Sequence, residues 1–118
     1  MRILGFQKKW AKLNQPEFTT FRYGDWAVGE RIQIVIQPRR KGGGEKLGIA
    51  EIISAELREF DSDYYEIFDK SIPLITEAEA IIDGFASVKD MIAFMEKTYG
   101  RLDWLPLMTK YTLKWIER

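Results

Sequence analysis

Two stretches in the first half of the chain show the apolar pattern of strands. In Arg31–Gln37, apolar and polar residues alternate with the period of two that is typical of a strand with one buried face. Leu47–Leu57 is apolar on parts of both faces and is interrupted by Gly48 and Glu51, which predicts a bent or bulged barrel strand. The predicted buried positions of the first stretch are Ile32, Ile34 and Ile36.

Three further strands and a short helix follow from similar patterns. Arg2–Phe6 predicts the first strand, and Glu17–Tyr23 an extended segment rich in aromatics and threonine. Lys8–Leu13 predicts a short helix that ends before Pro16, because the residue before proline disfavours the helical region. Leu107–Ile116 again alternates apolar and polar residues and predicts the last strand.

Two helices are predicted between the fourth and fifth strands. Thr76 and Glu79 form a capping box, and that helix ends at Gly84. Ser87 begins a second helix that ends at Gly100. Its apolar stripe predicts core packing and consists of Val88, Met91, Ile92, Met95 and Tyr99. Strands, then helices, then a last strand indicate a mainly β (α+β) fold, a small closed or half-closed β-barrel with helices at its edge.

The composition of the chain limits the kinds of catalytic and metal site that it can form. A length of 118 residues suits one domain, predicted to span residues 1–118. The chain has no cysteine and no histidine, which excludes thiolate chemistry, a Ser-His-Asp triad and an imidazole zinc site. We predict no cofactor and no metal site, although a hard cation held by oxygen ligands stays open. The short apolar run at the N-terminus is neither a signal peptide nor a membrane span, so we expect a cytoplasmic protein without a membrane partner.

Charge is unevenly distributed along the chain. Residues 1–58 carry a net charge of +5 and residues 59–118 a net charge of −5. Folding can mix the two halves, or the basic half can form a face for an anionic partner. Gly42-Gly43-Gly44 does not have the spacing of a phosphate-binding loop and is interpreted as a flexible hairpin connection. The basic residues around it, which could contact a nucleic-acid backbone, are Arg39, Arg40, Lys41 and Lys46.

Several short segments stand in a characteristic order along the chain. They are Phe18–Arg22 (FTTFR), Val28–Ile32 (VGERI), Leu47–Ile52 (LGIAEI), Glu79–Ser87 (EAIIDGFAS) and the helix end Tyr99-Gly100. Together they resemble the ASCH domain, a branch of the PUA-like superfamily, and the likeness runs from about Ile3 to Trp115. The resemblance implies a small PUA-like β-barrel with two or three flanking helices and a cleft beside the barrel, lined by a Thr-x-Arg segment.

The resemblance also implies a function in RNA metabolism. Some bacterial members resemble an amidohydrolase that removes the acetyl group from acetylated cytidine by means of a lysine, a threonine and a glutamate. Thr20 matches the threonine, Arg22 the following arginine, and Asp83 stands where those members have the glutamate. Glu17 occupies the lysine position, and Lys12 or Lys8 would have to supply the amine.

Three hypotheses follow. The first is a module that binds RNA or a nucleotide-like ligand. The second is a small hydrolase of modified nucleosides, or a ribonuclease, that uses Thr20 and Asp83. The third is an interaction protein without chemistry, in which Thr19 and Thr20 are ordinary strand residues and Asp83 a turn residue. The predicted ligand or RNA contacts of the first hypothesis are Lys12, Thr20, Arg22, Arg39, Arg40, Lys41 and Lys46.

Overall fold

The computed structural model describes residues 1–60, 71–100 and 107–118. It is mostly β, with two α-helices in the described part of the chain and a five-stranded sheet that curls into a half-barrel. The strands are β1 (Ile3–Phe6), β2 (Glu17–Arg22), β3 (Arg31–Ile36), β4 (Glu45–Glu59) and β5 (Leu107–Glu117). The helices are α1 (Glu77–Ile82) and α2 (Val88–Tyr99).

The order of strands in the sheet is β1-β3-β4-β5-β2. β1 pairs with β3 in parallel, and the other neighbours are antiparallel. The long strand β4 has register shifts after Ile49 and after Ile52, which confirms the predicted bulged strand. Such irregularities bend a strand and allow the sheet to curl. The two edge strands, β1 and β2, thereby approach each other across an open seam.

The helix between β1 and β2 is shorter than the predicted Lys8–Leu13 and begins later in the chain. A 3₁₀ helix covers Ala11–Asn14, and its residue Leu13 is buried in the core. The side chain of Trp115 in β5 anchors this helix, because its indole N–H donates to the Leu13 carbonyl at 3.1 Å. The helix therefore sits beside the seam, with Lys12 in its middle.

Two apolar clusters stabilise the fold. The first fills the half-barrel and includes the three predicted isoleucines of β3, which are buried as expected. Val35, on the other face of that strand, is buried too. The second cluster lies between the sheet and the helices, where Met91 and Met95 of α2 pack with Phe21 of β2. The buried residues of this cluster in the described part of the chain are Phe21, Phe60, Ile75, Ala80, Met91, Met95 and Met108.

The predicted capping signals at the helices are confirmed. The Thr76 hydroxyl accepts from the Glu79 backbone N–H, and the Glu79 carboxylate accepts from the Thr76 backbone N–H. Helix α2 begins after Ser87, whose hydroxyl accepts from the backbone N–H of Asp90. The apolar stripe of α2 packs inward except at its end, where Tyr99 keeps 43% of its surface exposed.

Glu79 also fixes α1 to the sheet. One of its carboxylate oxygens accepts from Arg58 of β4 at 3.0 Å and from Lys110 of β5 at 2.8 Å. Burial raises the pKa of Glu79, but hydrogen bonds from Lys110, Thr76 and Arg58 outweigh burial and lower the pKa from 4.5 to about 2. The ionised carboxylate therefore stabilises the folded state.

This lowered pKa predicts acid sensitivity. Glu79 contributes stability above a pH of about 4.5, and that contribution is lost as the pH falls towards about 2. We expect Glu79→Gln to lower the free energy of unfolding by roughly 2 kcal/mol at pH 7 and to flatten its decline between those pH values. Urea titrations followed by circular dichroism at several pH values measure this effect. Glu96→Gln, at an exposed position in α2, is the control. An equal loss of unfolding free energy in both variants would contradict the stabilising role of the Glu79 carboxylate.

Candidate functional site

The candidate site lies at the seam between the two edge strands. Arg22, the last residue of β2, donates from Nη2 to the carbonyl of Gly5 in β1 at 2.6 Å. Its Nε donates to the hydroxyl of Thr20 at 2.9 Å. The guanidinium carbon stands 4.8 Å from the centre of the Phe6 ring. Arg22 thus joins β1 to β2 at a place where no backbone ladder does.

The hydrogen-bond partners of Arg22 in the described part of the chain are neutral. They are a carbonyl and a hydroxyl, and none of the described carboxylates lies within ion-pair distance of it, although Asp83 attracts it from farther away. Burial lowers the pKa of Arg22, yet an arginine in a protein stays protonated. A partly buried cation without an anionic partner is unfavourable in the unliganded protein.

A second polar group lies on the same seam. Lys12 Nζ, from the 3₁₀ helix, donates to Asp83 Oδ1 at 3.0 Å, and the Thr19 hydroxyl donates to the same oxygen at 2.8 Å. Side-chain exposure is 8% for Lys12 and 2% for Asp83, so the ion pair is withdrawn from solvent. The pair connects the 3₁₀ helix, β2 and the end of α1.

Burial acts on both members of this pair. It lowers the pKa of Lys12 and raises the pKa of Asp83, because each charged form loses water. The mutual attraction of the two groups opposes both changes. Arg22 acts on both as well, lowering the pKa of Lys12 by repulsion and opposing the rise of the pKa of Asp83.

Local sequence positions Asp83. It is the C-terminal cap of α1, and its backbone N–H donates to Glu79 and Ile81 carbonyls. The next residue, Gly84, has φ of +113°, and a Cβ there would come within 2.8 Å of the Trp10 ring. A side chain is therefore excluded by both backbone conformation and contact. The Asp-Gly pair turns the chain so that the carboxylate faces Lys12.

These groups surround a small inner cavity of about 70 Å³. In the described part of the chain, its charged lining residues are Lys12, Arg22 and Asp83, and Thr20 contributes a hydroxyl. The remaining walls are mainly apolar and come from β1, β2, the 3₁₀ helix and α2. The aromatic lining residues are Phe6, Trp10, Phe21, Phe85, Phe94 and Tyr99.

The inner cavity opens onto a wider outer groove of about 1000 Å³. The two share Gly5, Phe6, Gln7, Arg22, Thr98 and Tyr99, so Arg22 stands at their junction. The outer groove is also lined by Gln37, Pro38, Arg39 and Arg40.

The turn that carries Arg39 and Arg40 is held against the end of β1. The Gln37 backbone N–H donates to the Phe6 carbonyl at 2.8 Å, and the Gln37 side chain donates to the Gln7 carbonyl at 3.2 Å. A Cβ on Gly5 would stand 2.6 Å from a ring carbon of Pro38, so this approach requires glycine. Gln37 itself has a positive φ of 49°, which is uncommon for a residue other than glycine.

The structure brings together only part of the predicted residue set. Lys12, Thr20, Arg22 and Asp83 line the inner cavity, and Arg39 and Arg40 line the outer groove. The exposed residues Lys41, Lys46 and Glu17 line neither space. Glu17 stands opposite Lys114 in the pairing of β2 with β5. The amine beside Asp83 is therefore Lys12.

Sequence reasoning missed two residues of the site. Thr19 was interpreted only as a strand residue, although its hydroxyl holds Asp83. Tyr99 was assigned to the core, although it lines both spaces and packs edge-to-face on Tyr23 at 5.1 Å. Its place at the end of the apolar stripe, next to the stop at Gly100, was the available signal.

Among the described residues, no three acidic side chains lie close enough together to hold a metal ion. In the same part of the chain, no helix is long and apolar enough to cross a membrane.

The buried pair predicts a specific stability pattern. Asp83→Asn leaves Lys12 as a second buried cation without a counter-charge, and we expect a loss of about 3 kcal/mol at pH 7. Lys12→Met combined with Asp83→Asn should recover most of that loss. The pKa of Lys12 is lowered from 10.5, so the unfolded chain binds more protons between the two values, and stability rises with pH there. Without the attraction of Asp83, the pKa of Lys12 falls further in the variant, so the variant gains more stability with rising pH than the wild type does, and the Asp83→Asn deficit should shrink towards pH 10.

Urea denaturation at pH 7 and pH 10 measures this pattern. The control is Lys9→Met, which breaks an exposed ion pair with Glu45 and should cost less than about 1 kcal/mol. A double variant as unstable as Asp83→Asn alone would show that unpaired charge is not the cause.

Comparison of the chain with protein-family models gives no match, and comparisons with curated proteins and with solved structures give none either. The likeness to ASCH domains therefore rests on the sequence motifs.

Proposed function

We propose that the protein is a binding module for RNA or a nucleotide-like ligand. The observation that carries this proposal is the outer groove, in which Arg22, Arg39 and Arg40 line one open space beside the half-exposed Tyr99. Arginines neutralise phosphates, and an exposed aromatic face stacks on an unpaired base. The motif resemblance to ASCH domains supports the same class of ligand.

The fixed turn at Gln37 strengthens the proposal. Arg39 and Arg40 come directly after Gln37, whose backbone and side chain are hydrogen-bonded to the end of β1. The backbone that carries the two arginines therefore does not have to become ordered when a ligand binds. A preorganised site loses less conformational entropy on binding than a disordered loop does. The groove thus supplies positive charge at a fixed distance from Arg22 and Tyr99.

RNA binding through this groove should depend on salt and on its two outer arginines. We expect the affinity for a fluorescein-labelled single strand of about ten nucleotides to fall as salt rises. The double variant Arg39→Gln/Arg40→Gln should bind about tenfold more weakly, with a salt slope smaller in magnitude by about 1.4, since each phosphate contact to a single strand contributes about 0.7. Fluorescence anisotropy across a range of potassium chloride concentrations provides the measurement.

The control removes the same charge outside the groove. Lys41→Gln/Lys46→Gln should change the affinity by less than about threefold, since neither lysine lines the groove. Equal losses in the two double variants would mean that overall charge, rather than the groove, binds RNA. No binding by the wild type at micromolar concentration would reject RNA as the ligand.

A second candidate, an amidohydrolase of acylated nucleosides, is favoured by Lys12. A buried amine with a lowered pKa is a better base at neutral pH than an ordinary lysine, and Lys12 lies beside Asp83 on the cavity that Thr20 lines. In this proposal Thr20 supplies the nucleophile or positions water, and the Lys12–Asp83 pair moves the proton.

This candidate predicts release of acetate from acetylated cytidine. Thr20→Ala, Lys12→Met and Asp83→Asn should each lower the rate at least about a hundredfold. Glu17→Gln should leave it unchanged, because Glu17 lies outside the cavity. Chromatographic detection of cytidine follows the reaction. Absence of turnover, or turnover that survives Thr20→Ala, rejects the hydrolase.

A further inference from the structure

The inner cavity is too small for most of the proposed ligand. Pockets that enclose a whole small molecule usually measure ~300–1000 Å³. The inner cavity has about 70 Å³, whereas the outer groove has about 1000 Å³. A nucleobase with its ribose fits the outer groove only. The inner cavity accepts a small polar end group of a ligand whose body lies outside.

The charge of the inner cavity selects an anionic end group. Among the described residues that line it, two are cationic and one is acidic, and Lys12 is already paired with Asp83. Arg22 has only neutral hydrogen-bond partners among the described residues. One positive charge therefore remains for a ligand to neutralise, and it faces the junction of the two spaces.

The available donors match an oxyanion. Among the described residues, Arg22 donates from Nε to Thr20 and from Nη2 to Gly5, which leaves Nη1 for a ligand. Lys12 Nζ has three N–H groups and gives one to Asp83. Thr20 accepts from Arg22, so its own O–H is the third donor. Three donors on a cavity of this size correspond to the three free oxygens of a phosphate monoester.

We infer that the inner cavity binds the terminal phosphate monoester of a nucleotide or of an RNA end, with the nucleoside in the outer groove. This inference rests on the proposed RNA- or nucleotide-binding function. A terminal phosphate has chain on one side only and can enter a cavity of about 70 Å³, whereas an internal phosphodiester has chain on both sides. A monoester also carries about −1.5 to −2 charge at pH 7, against −1 for a diester, and so neutralises Arg22 more fully.

The test compares RNA ends of one sequence. Fluorescence anisotropy is measured with single strands that end in a 5′-phosphate, in a 3′-phosphate or in hydroxyls at both ends, with the dye placed internally. One phosphorylated end should raise the affinity about tenfold or more over the hydroxyl-ended strand. Calorimetry with the matching nucleoside monophosphate and its nucleoside should show the same preference.

Two sets of variants separate the inner cavity from the outer groove. Thr20→Val removes one donor and should reduce the preference for phosphate at least about threefold, while Thr20→Ser keeps the hydroxyl and the preference. Arg39→Gln/Arg40→Gln should weaken the binding of all three RNA strands equally and leave the preference for phosphate intact. Arg22→Gln should abolish the preference for phosphate. Because Arg22 joins β1 to β2, circular dichroism checks that this variant folds. If Arg22→Gln does not fold, the result with Thr20→Val decides.

Each outcome decides between the two proposals. Equal, salt-dependent binding of phosphate- and hydroxyl-ended strands overturns the inner-cavity inference but keeps the RNA-binding function. Binding of the nucleoside monophosphate without binding of either strand supports the inner cavity and restricts the ligand to nucleotides. A preference for phosphate that Thr20→Val leaves unchanged also overturns the inference. If no strand, nucleotide or nucleoside binds, both proposals are wrong.

Discussion

The contact of Arg22 with both edge strands is the constraint on which the site depends. A five-stranded sheet that curls without closing leaves two edges, and the unpaired backbone groups of an edge can pair with another chain. Here Arg22 of β2 donates to the Gly5 carbonyl of β1, so a side chain spans part of the gap. Because its hydrogen-bond partners are neutral, the same contact places a positive charge at the seam that no hydrogen-bonded carboxylate neutralises.

The Lys12–Asp83 pair imposes a second constraint. It connects the 3₁₀ helix to the end of α1, and Thr19 adds β2 to the same carboxylate oxygen. Burial disfavours both charges, so such a pair contributes less to stability than its distance suggests. It instead fixes the relative positions of three elements around the cavity. The polar site and the packing of helices on the sheet are thus parts of one structure, and a change in either affects the other.

The cleft has two compartments of different character. The inner cavity is small, is lined largely by apolar residues and is polar at only a few points, whereas the outer groove is wide, open and bordered by arginines. A compartment of the first kind discriminates by size and hydrogen bonding, since its buried donors are left unsatisfied by a wrong group. One of the second kind contributes affinity through charge. Arg22, which lines both, connects the two effects.

Local features were readable from the sequence by itself. The alternation in β3, the interruptions in β4, the capping box at Thr76 and the exclusion of histidine and cysteine chemistry depend only on neighbouring residues or on composition. The tertiary structure alone decided that Lys12 rather than Glu17 faces Asp83, that Thr19 holds it, and that Lys41 and Lys46 lie outside the groove. Thr19 and Asp83 are 64 positions apart, and the order of strands that brings them together depends on long-range pairing and packing. A pattern with a period of two or 3.6 residues does not encode such a contact. The pattern shows which face of a helix or strand is apolar, but not which other helix or strand covers that face.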